Sequence, residues 1–590
     1  VQGFPIYYES FFLETPQARD WLARSQSGES LCWGAQTFRY WIDPTRCEFH
    51  DYTAGLLQYV LKQFKPASIF IDNTIPPQCY TDSARESFRA YLRRKYAGQD
   101  AVKEFGIASF DAVELPYFSN VYNPPDSYAI VKDPLLQEWA YWNSQTSAGF
   151  VAKMCDAVHA ASPDTKFCTT AGCDVLRFNH LFIRGSNFED RIACCDHVHM
   201  EESAWRPGVF ALQGEADDSL DVRVSTDARW WKIYQNYGKA GHGQMWGEID
   251  RPSKLVAIAH DMAFAQNADN LGIVGPLAAH DKMLDDIADV LDWGRRHIDV
   301  LAGREDRIAP VAVWRGSATL GFIRHQPVWE ACAIEQMLFE QHVPFTILLD
   351  GGLERFLTGR EVLILPGTEC VSDRQAEIIT RFVDNGGSLL LLGRAGTRDG
   401  RVRLRSRLAF DHLMGGALGN MEFFGPPHWV PELDFSAMPE KLSASFGKGK
   451  ISFIKTIKPR TTFDMTRDQY WPHREVAVGD ILPPANESAI MDELDKLLTR
   501  RVVRVNAPRW TLCEFWRKGA TMQIALANLR KTKPGGPVTV DLRDTPAAAA
   551  RWYEFGCDVA TPLKIRNGRL SVASLEHFGI IEIDAAIETP

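Results

Sequence analysis

The sequence predicts an α/β chain in three parts: a parallel α/β unit over residues 1–305, a flavodoxin-like α/β unit over 306–501, and a small antiparallel β-sandwich over 502–590. Three observations carry that prediction. Short β-rich runs alternate with amphipathic helical stretches over the first three hundred residues, the pattern of a parallel sheet. A tighter strand–helix series begins near Ile308. From about Val502 the helical periodicity disappears and only β-runs remain.

In the first part the strand candidates are Pro5–Phe12, Ala67–Asp72, Lys166–Ala171, His197–Glu202, Gly243–Glu248 and Leu271–Gly275. Ser83-Ala84-Arg85-Glu86 has the form of a capping box, and Phe88, Tyr91, Leu92 and Tyr96 follow at helical spacing. Leu135 to Ala161 places Trp139, Trp142, Phe150, Val151, Met154, Cys155 and Val158 on one apolar face. In the second part, strands are expected at Val311–Trp314, Phe345–Leu349, Glu361–Leu365 and Ser388–Leu392, with a helix over Val328–Gln341. Ser372-Asp373-Arg374-Gln375 caps another helix, which Asn385-Gly386-Gly387 ends. Residues 396–440 read as an irregular insertion, and Gly447-Lys448-Gly449-Lys450 leads into a strand at Ile451–Lys455. Trp510–Trp516, Met522–Asn528, Val538–Leu542 and Ile580–Ile583 supply the sandwich.

Composition narrows the function classes. A length of 590 residues exceeds one compact unit, at ~100–200 residues per domain. The 45 % apolar and 24 % charged residues describe a globular chain with a large core. A net charge of −10 argues against nucleic acid or an anionic membrane held through bulk charge. No run approaches the ~18 apolar residues of a membrane span. The twelve cysteines form no metal-type spacing and read as reduced, mostly buried thiols, which points to the cytoplasm. No GxGxxG or P-loop supports a nucleotide site, and no cofactor or metal is expected.

Three stretches resemble a known architecture. Ile69-Phe70-Ile71-Asp72-Asn73-Thr74, with Cys79-Tyr80 and Phe88 to Tyr96, is similar to the fourth-strand Asp-Asn-Glu motif, Cys-rich loop and following helix of the family-42 β-galactosidases. It is also similar to the hypothetical glycosyl-hydrolase family GHL6. Ala265-Gln266-Asn267-Ala268-Asp269-Asn270-Leu271-Gly272 resembles the run entering the last barrel strand. Glu361 to Pro366, through Ser372-Asp373 to Asn385-Gly386-Gly387, resembles the family's trimerisation domain. The resemblance implies a (β/α)8-type barrel over 1–305, a carbohydrate substrate and a homotrimer. With six strand candidates where a closed barrel needs eight, about two βα units, roughly 60 residues, are expected to be missing before Val1. Two departures stand out: Thr74 occupies the place of the family's general-acid Glu, and only Cys79 remains of its zinc-binding cysteines. Neither the conventional β-galactosidase mechanism nor the structural zinc therefore carries over.

A barrel presents its site at the C-terminal ends of its strands. In His197–Glu202, Val198 and Met200 share the helix-packed face, which leaves His197, His199 and Glu201 inward. In Gly243–Glu248 the same alternation turns Gln244, Trp246 and Glu248 inward. Asp72 closes a run apolar on both faces, so parity does not orient it. Glycoside hydrolysis requires two carboxyl groups, one to protonate the leaving oxygen and one to attack or to activate water. Asp72, Glu201 and Glu248 are the candidates. Family 42 places its nucleophile on strand 7, which maps onto Glu248. The family-36 α-galactosidases use a strand-4 Asp with a strand-6 acid, which maps onto Asp72 and Glu201, and Thr74 favours this second scheme. Structural readings compete: Asp72 as a loop cap, and Glu248 paired with Arg251. Candidate substrate contacts are Trp33, Trp205 and Trp246 as aromatic platforms, with Asn73, Asp174, His199, Glu202, Arg206 and His242 as polar partners. A zinc site from His197, His199 and His242 and a Cys nucleophile at Cys370 are weaker readings, because alternate strand positions commonly just pack and no Gly-x-Cys-x-Gly elbow is present. The alternative to an enzyme is a degenerate barrel that binds carbohydrate or completes an assembly with another chain.

Overall fold

The computed structural model describes the chain outside residues 1–5, 34–35, 73, 75–76, 98–100, 117–129, 171–186, 201–225, 245–250, 266–272, 275–286, 324–325, 420–421, 425–431, 437, 461–481, 500–502, 531–534, 544 and 586–590. Its contacts divide it into two compact units, Val1–His199 with Leu320–His325, and Met200–Thr319 with Gln326–Pro590.

In the first unit, β1 (Ile6–Tyr8) pairs antiparallel with β2 (Arg39–Trp41), setting Tyr8 opposite Arg39. The long strand expected over Pro5–Phe12 is therefore cut to three residues, and the chain turns into α1 (Glu9–Glu14). Aromatic packing explains the turn: Phe11 lies 4.4 Å from Tyr7, and Phe12 meets the edge of Tyr40 at 5.7 Å. An extended run would send Phe11 and Phe12 to opposite faces. Next come α2 (Cys47–Phe64), β3 (Ser68–Ile71) and α3 (Asp82–Lys95). The N-cap of α3 is Thr81, whose hydroxyl accepts from the Ala84 amide at 3.1 Å, rather than the expected Ser83. Ser83 instead meets the Thr45 hydroxyl at 2.8 Å. After α4 (Ala101–Phe105) comes α5 (Pro134–Ala161), capped by Asp133 with Pro134 in its first turn. The apolar face expected of it is buried throughout. Its Glu138, 1 % exposed, accepts from the Tyr91 and Tyr96 hydroxyls and from Lys95, each at 2.7 Å. That carboxylate accounts for the polar residues among the aromatics of α3. β4 (Lys166–Thr170) and β5 (His197–Met200) complete a parallel ladder with β3.

The first described helix of the second unit is Thr226–Tyr234. β6 (Ala240–Gln244) and β7 (Ile273–Val274) pair in parallel. β6 starts three residues earlier than expected, and 245–248 of that candidate strand lie outside the described residues. Among the described part of residues 1–305, β3, β4 and β5 pair in parallel in the first unit and β6 pairs in parallel with β7 in the second. Then follow β8 (Asp306–Arg307), β9 (Val311–Trp314), β10 (Phe345–Leu348), β11 (Val362–Pro366), β12 (Ser388–Leu392), β13 (Glu422–Phe424), β14 (Glu432–Asp434), β15 (Lys441–Phe446) and β16 (Gly449–Ile454). The sheet order is β10-β9-β11-β12-β16-β15, parallel except at β15. Read as 2-1-3-4-5 with an antiparallel edge, this is the flavodoxin order. Its strands are apolar on both faces because helices cover both sides. Ser372 and Gln375 form the reciprocal capping box, and Gly386 takes a φ of 112° where the helix Asp373–Asp384 ends.

The C-terminal strands are β17 (Arg504–Asn506), β18 (Thr511–Lys518), β19 (Thr521–Asn528), β20 (Val538–Asp541), β21 (Ala547–Glu554), β22 (Thr561–Leu563), β23 (Arg569–Val572) and β24 (Phe578–Ala585). They form two antiparallel sheets, β22-β21-β24-β19-β18-β8 and β17-β20-β23. Val505, Val538, Val540 and Leu570 of the smaller sheet share one core with Phe515, Met522, Ile524 and Ile581 of the larger. Buried charges tie the second unit together. Glu335 accepts from Arg229 and Arg315, and Glu514 from Lys232.

Candidate active site

The registers of the first unit orient Asp72, which sequence parity could not. Phe70 is level with Cys168 and His197, and Ile71 with Thr169 and Val198. In a parallel sheet residues in one row point to one face, so Ile71, Thr169 and Val198 share a side. That side is the one helices cover: all three residues are 1 % exposed or less. The adjoining Thr74 meets Thr169 through their hydroxyls at 3.0 Å, while its carbonyl accepts from Ser147 of α5 and from Arg191. Phe70, Cys168 and His197 lie on the opposite side. Asp72, half-buried at the C-terminal end of β3, follows in their alternation.

Thr74 is 2 % exposed, and these hydrogen bonds engage both its hydroxyl and its carbonyl. An alcohol hydroxyl is far too weak an acid to protonate a leaving group near neutral pH. The general-acid role that the resemblance attaches to this position is therefore chemically closed here.

The chain leaving β3 docks on the N-terminal hairpin. The Tyr80 amide donates to the Arg24 carbonyl at 2.9 Å, and the Thr81 hydroxyl donates to Asp43. Asp43 is fully buried and also accepts from the Thr45 amide at 2.9 Å, an Asx turn. Sequence reading passed over this hub, although the Asp43-Pro44-Thr45 triplet signals it. Trp33 belongs to the same hairpin. It is half-buried, 5.1 Å from Trp41 between ring centres, and its amide donates to the Arg39 carbonyl at 2.9 Å.

Of the other candidates, His199 and His242 lie on β5 and β6, with only their backbones described. Asn73, Asp174, Glu201, Glu202, Trp205, Arg206, Trp246 and Glu248 lie outside the described residues. Arg251, the cation offered as a structural partner for Glu248, is gripped by Asp289 through two bonds of 3.0 and 2.6 Å.

Two further clusters have their own chemistry. Cys155, His159 and Asp196 hold their ligand atoms within 4.8 Å of one another. The thiol faces Nδ1 of His159 at 3.8 Å and the carboxylate faces Nε2 at 2.8 Å. The imidazole thus bridges the thiol and the carboxylate through its two nitrogens. Burial would raise the Asp196 carboxyl, but the Phe167 amide and His159 outweigh it and hold the carboxyl low. Asp196 precedes β5, at the opposite end of the ladder from Asp72. In the second unit Cys370 is 2 % exposed, and burial pushes its thiol up, away from the thiolate a nucleophile needs.

No family model matches the sequence, and no curated protein matches it. Solved structures do. Gan42B, a GH42 β-galactosidase from G. stearothermophilus, is similar at 12 % identity, with 96 % of this chain and 86 % of that chain covered and a TM-score of 0.67. The α-L-fucosidase isoenzyme 2 from Paenibacillus thiaminolyticus is 14 % identical over 98 % of this chain and 86 % of that one, with a TM-score of 0.61. An exo-carrageenase of GH42 from Bacteroides ovatus is 9 % identical, covering 97 % and 77 %, with a TM-score of 0.58. At such identities the likeness is one of fold, and the chain has the fold of the GH42 β-galactosidases. Among the described residues no helix is long and apolar enough to cross a membrane.

Proposed function

We propose that the chain is a glycoside hydrolase, exo-acting on a small glycoside or an oligosaccharide terminus by a two-carboxylate mechanism. The observation that carries this reading is the fold shared over 96 % of the chain with a GH42 β-galactosidase, a fold also shared with a fucosidase and a carrageenase. The position of Asp72 supports it: a carboxylate at the C-terminal end of a parallel strand, on the face away from the helices, is where barrels put their chemistry.

Glu201 donates its proton to the leaving oxygen while Asp72 attacks the anomeric carbon or deprotonates the water that does so. A carboxyl separation of about 5–5.5 Å would give retention and about 6.5–9.5 Å inversion. Glu248 binds a sugar hydroxyl or raises a neighbour's pKa by like-charge repulsion. In the second scheme Glu248 is itself the nucleophile. Trp33, Trp205 and Trp246 stack on the sugar's C–H face, and Asn73, Asp174, His199, Glu202, Arg206 and His242 take its hydroxyls. Residues 1–305 form the catalytic barrel, 306–501 a flavodoxin-like domain that assembles a homotrimer, and 502–590 the accessory sandwich. A panel of aryl glycosides tests the function. Release of the aryl alcohol by the intact chain is expected, and silence across the panel favours the other reading, a carbohydrate-binding or assembly subunit, which the hydrogen-bonded Thr74 also favours.

A further inference from the structure

The N-terminal hairpin carries a guanidinium with one donor left unsatisfied among the described residues. Arg39 Nη1 donates to Gln36 at 3.3 Å, but Nε, which is buried, has no hydrogen-bond partner among the described residues. No carboxylate pairs with Arg39 among those residues either. This differs from its neighbour Arg19, which is paired with Glu9. A guanidinium grips the two oxygens of a carboxylate or sulfate through a pair of parallel N–H bonds.

Aromatic rings flank the guanidinium. The guanidinium carbon lies 5.3 Å from the centre of the Tyr8 ring and 5.9 Å from that of Trp33. Tyr8 and Phe38 stack with ring centres 5.9 Å apart and planes 18° from parallel, and both are about half exposed, at 52 % and 50 %. Sugar rings stack on such surfaces through their C–H faces. The hairpin also stands beside the chain that leaves the Asp72 end of β3, held there by Arg24, Tyr80, Asp43 and Thr81.

We infer that Tyr8, Trp33, Phe38 and Arg39 form a subsite for an anionic sugar, a residue carrying a carboxylate or a sulfate ester. The aromatic rings take the pyranose face and the guanidinium of Arg39 takes the acid group. The inference rests on the glycosidase reading for what happens to the bound sugar, so binding is measured apart from turnover.

The test is calorimetric titration of the full chain with two matched pairs: an oligogalacturonide against its methyl ester, and a sulfated galacto-oligosaccharide against its desulfated form. At least one acid is expected to bind about tenfold or more tightly than its neutral partner, the scale of a charge-assisted bidentate contact. Arg39→Met should erase that preference. Arg39→Lys, which keeps the charge but loses the side-on fork, should retain only a fraction of it while leaving the fold intact. Trp33→Ala should weaken both members of the preferred pair alike. Equal affinity for acid and neutral forms, no binding of either acid, or an undiminished preference in Arg39→Lys would overturn the subsite. Acid-selective binding with no sugar release would leave the subsite standing and defeat the hydrolase; turnover of neutral glycosides with no acid preference would do the reverse.

Discussion

Glu335→Gln is the substitution whose effect the structure sets most tightly. The carboxylate is fully buried and accepts from Arg229 Nε at 2.7 Å, from Arg315 Nε at 2.6 Å and from Arg315 Nη2 at 2.7 Å. Burial alone would lower Arg315, but the facing carboxylate outweighs it and drives its pKa up. Glutamine preserves the shape but removes the charge and turns an N–H toward a donor. Two guanidinium groups, one fully buried and one 2 % exposed, then lose the counter-charge they share. Removing one member of a buried ion pair typically costs about 3–5 kcal/mol, and that range is expected here. Urea unfolding followed by tryptophan fluorescence reads it, because the second unit holds the buried Trp230, Trp314, Trp329 and Trp516. Replacing all three members by Met and Leu should recover most of the loss, since the pair's own desolvation penalty disappears with it. A loss under about 1 kcal/mol in Glu335→Gln would show that the triad is hydrated or redundant, and would refute this account of the core.

Other expectations follow from the same physics. Burial would raise the Glu493 carboxyl, but Lys441, Lys496 and Ser452 outweigh it and hold its pKa at about 2. A carboxylate lowered in the folded state adds stability that is complete above its unfolded pKa of about 4.3 and fades as pH falls towards 2, so Glu493→Gln should flatten that part of the stability profile. An unchanged acid slope would contradict it. At Gly367, with φ of 59°, an added Cβ would sit 1.6 Å from Glu330 Oε2, so Gly367→Ala should lose about 2–4 kcal/mol from overpacking and left-handed strain. Glu330→Ala in the same chain should restore part of it, and thermal unfolding compares the two.

Local signals made much of the fold legible. Ser372 and Gln375 satisfy each other within one turn, so their capping box could be read from four residues. The flavodoxin strands are continuous apolar runs that only a sheet covered on both faces accepts. Where neighbours decide, the sequence was ambiguous. Thr81 and Ser83 both carry a hydroxyl suited to cap α3, and Asp43 recruits Thr81 from a distant segment. Ala547 to Ala550 have helical propensity and no alternation, yet form a strand because β24 supplies the pairing edge. The candidate site followed the same division. The identity of Asp72 stood in the sequence, but its face emerged only from the rows shared with Thr169 and Val198, and Arg39 gave no signal beyond its charge.

We propose that Asp72 and Glu201 carry out glycosidic cleavage together. Its most direct measurement is kcat on whichever aryl glycoside the intact chain turns over, compared among Asp72→Asn, Glu201→Gln and Glu248→Gln. Losses of about 10²–10⁴-fold are expected for the first two, with Glu201→Gln least impaired on substrates whose leaving group needs no proton. Parent-like turnover in both Asp72→Asn and Glu201→Gln would contradict it.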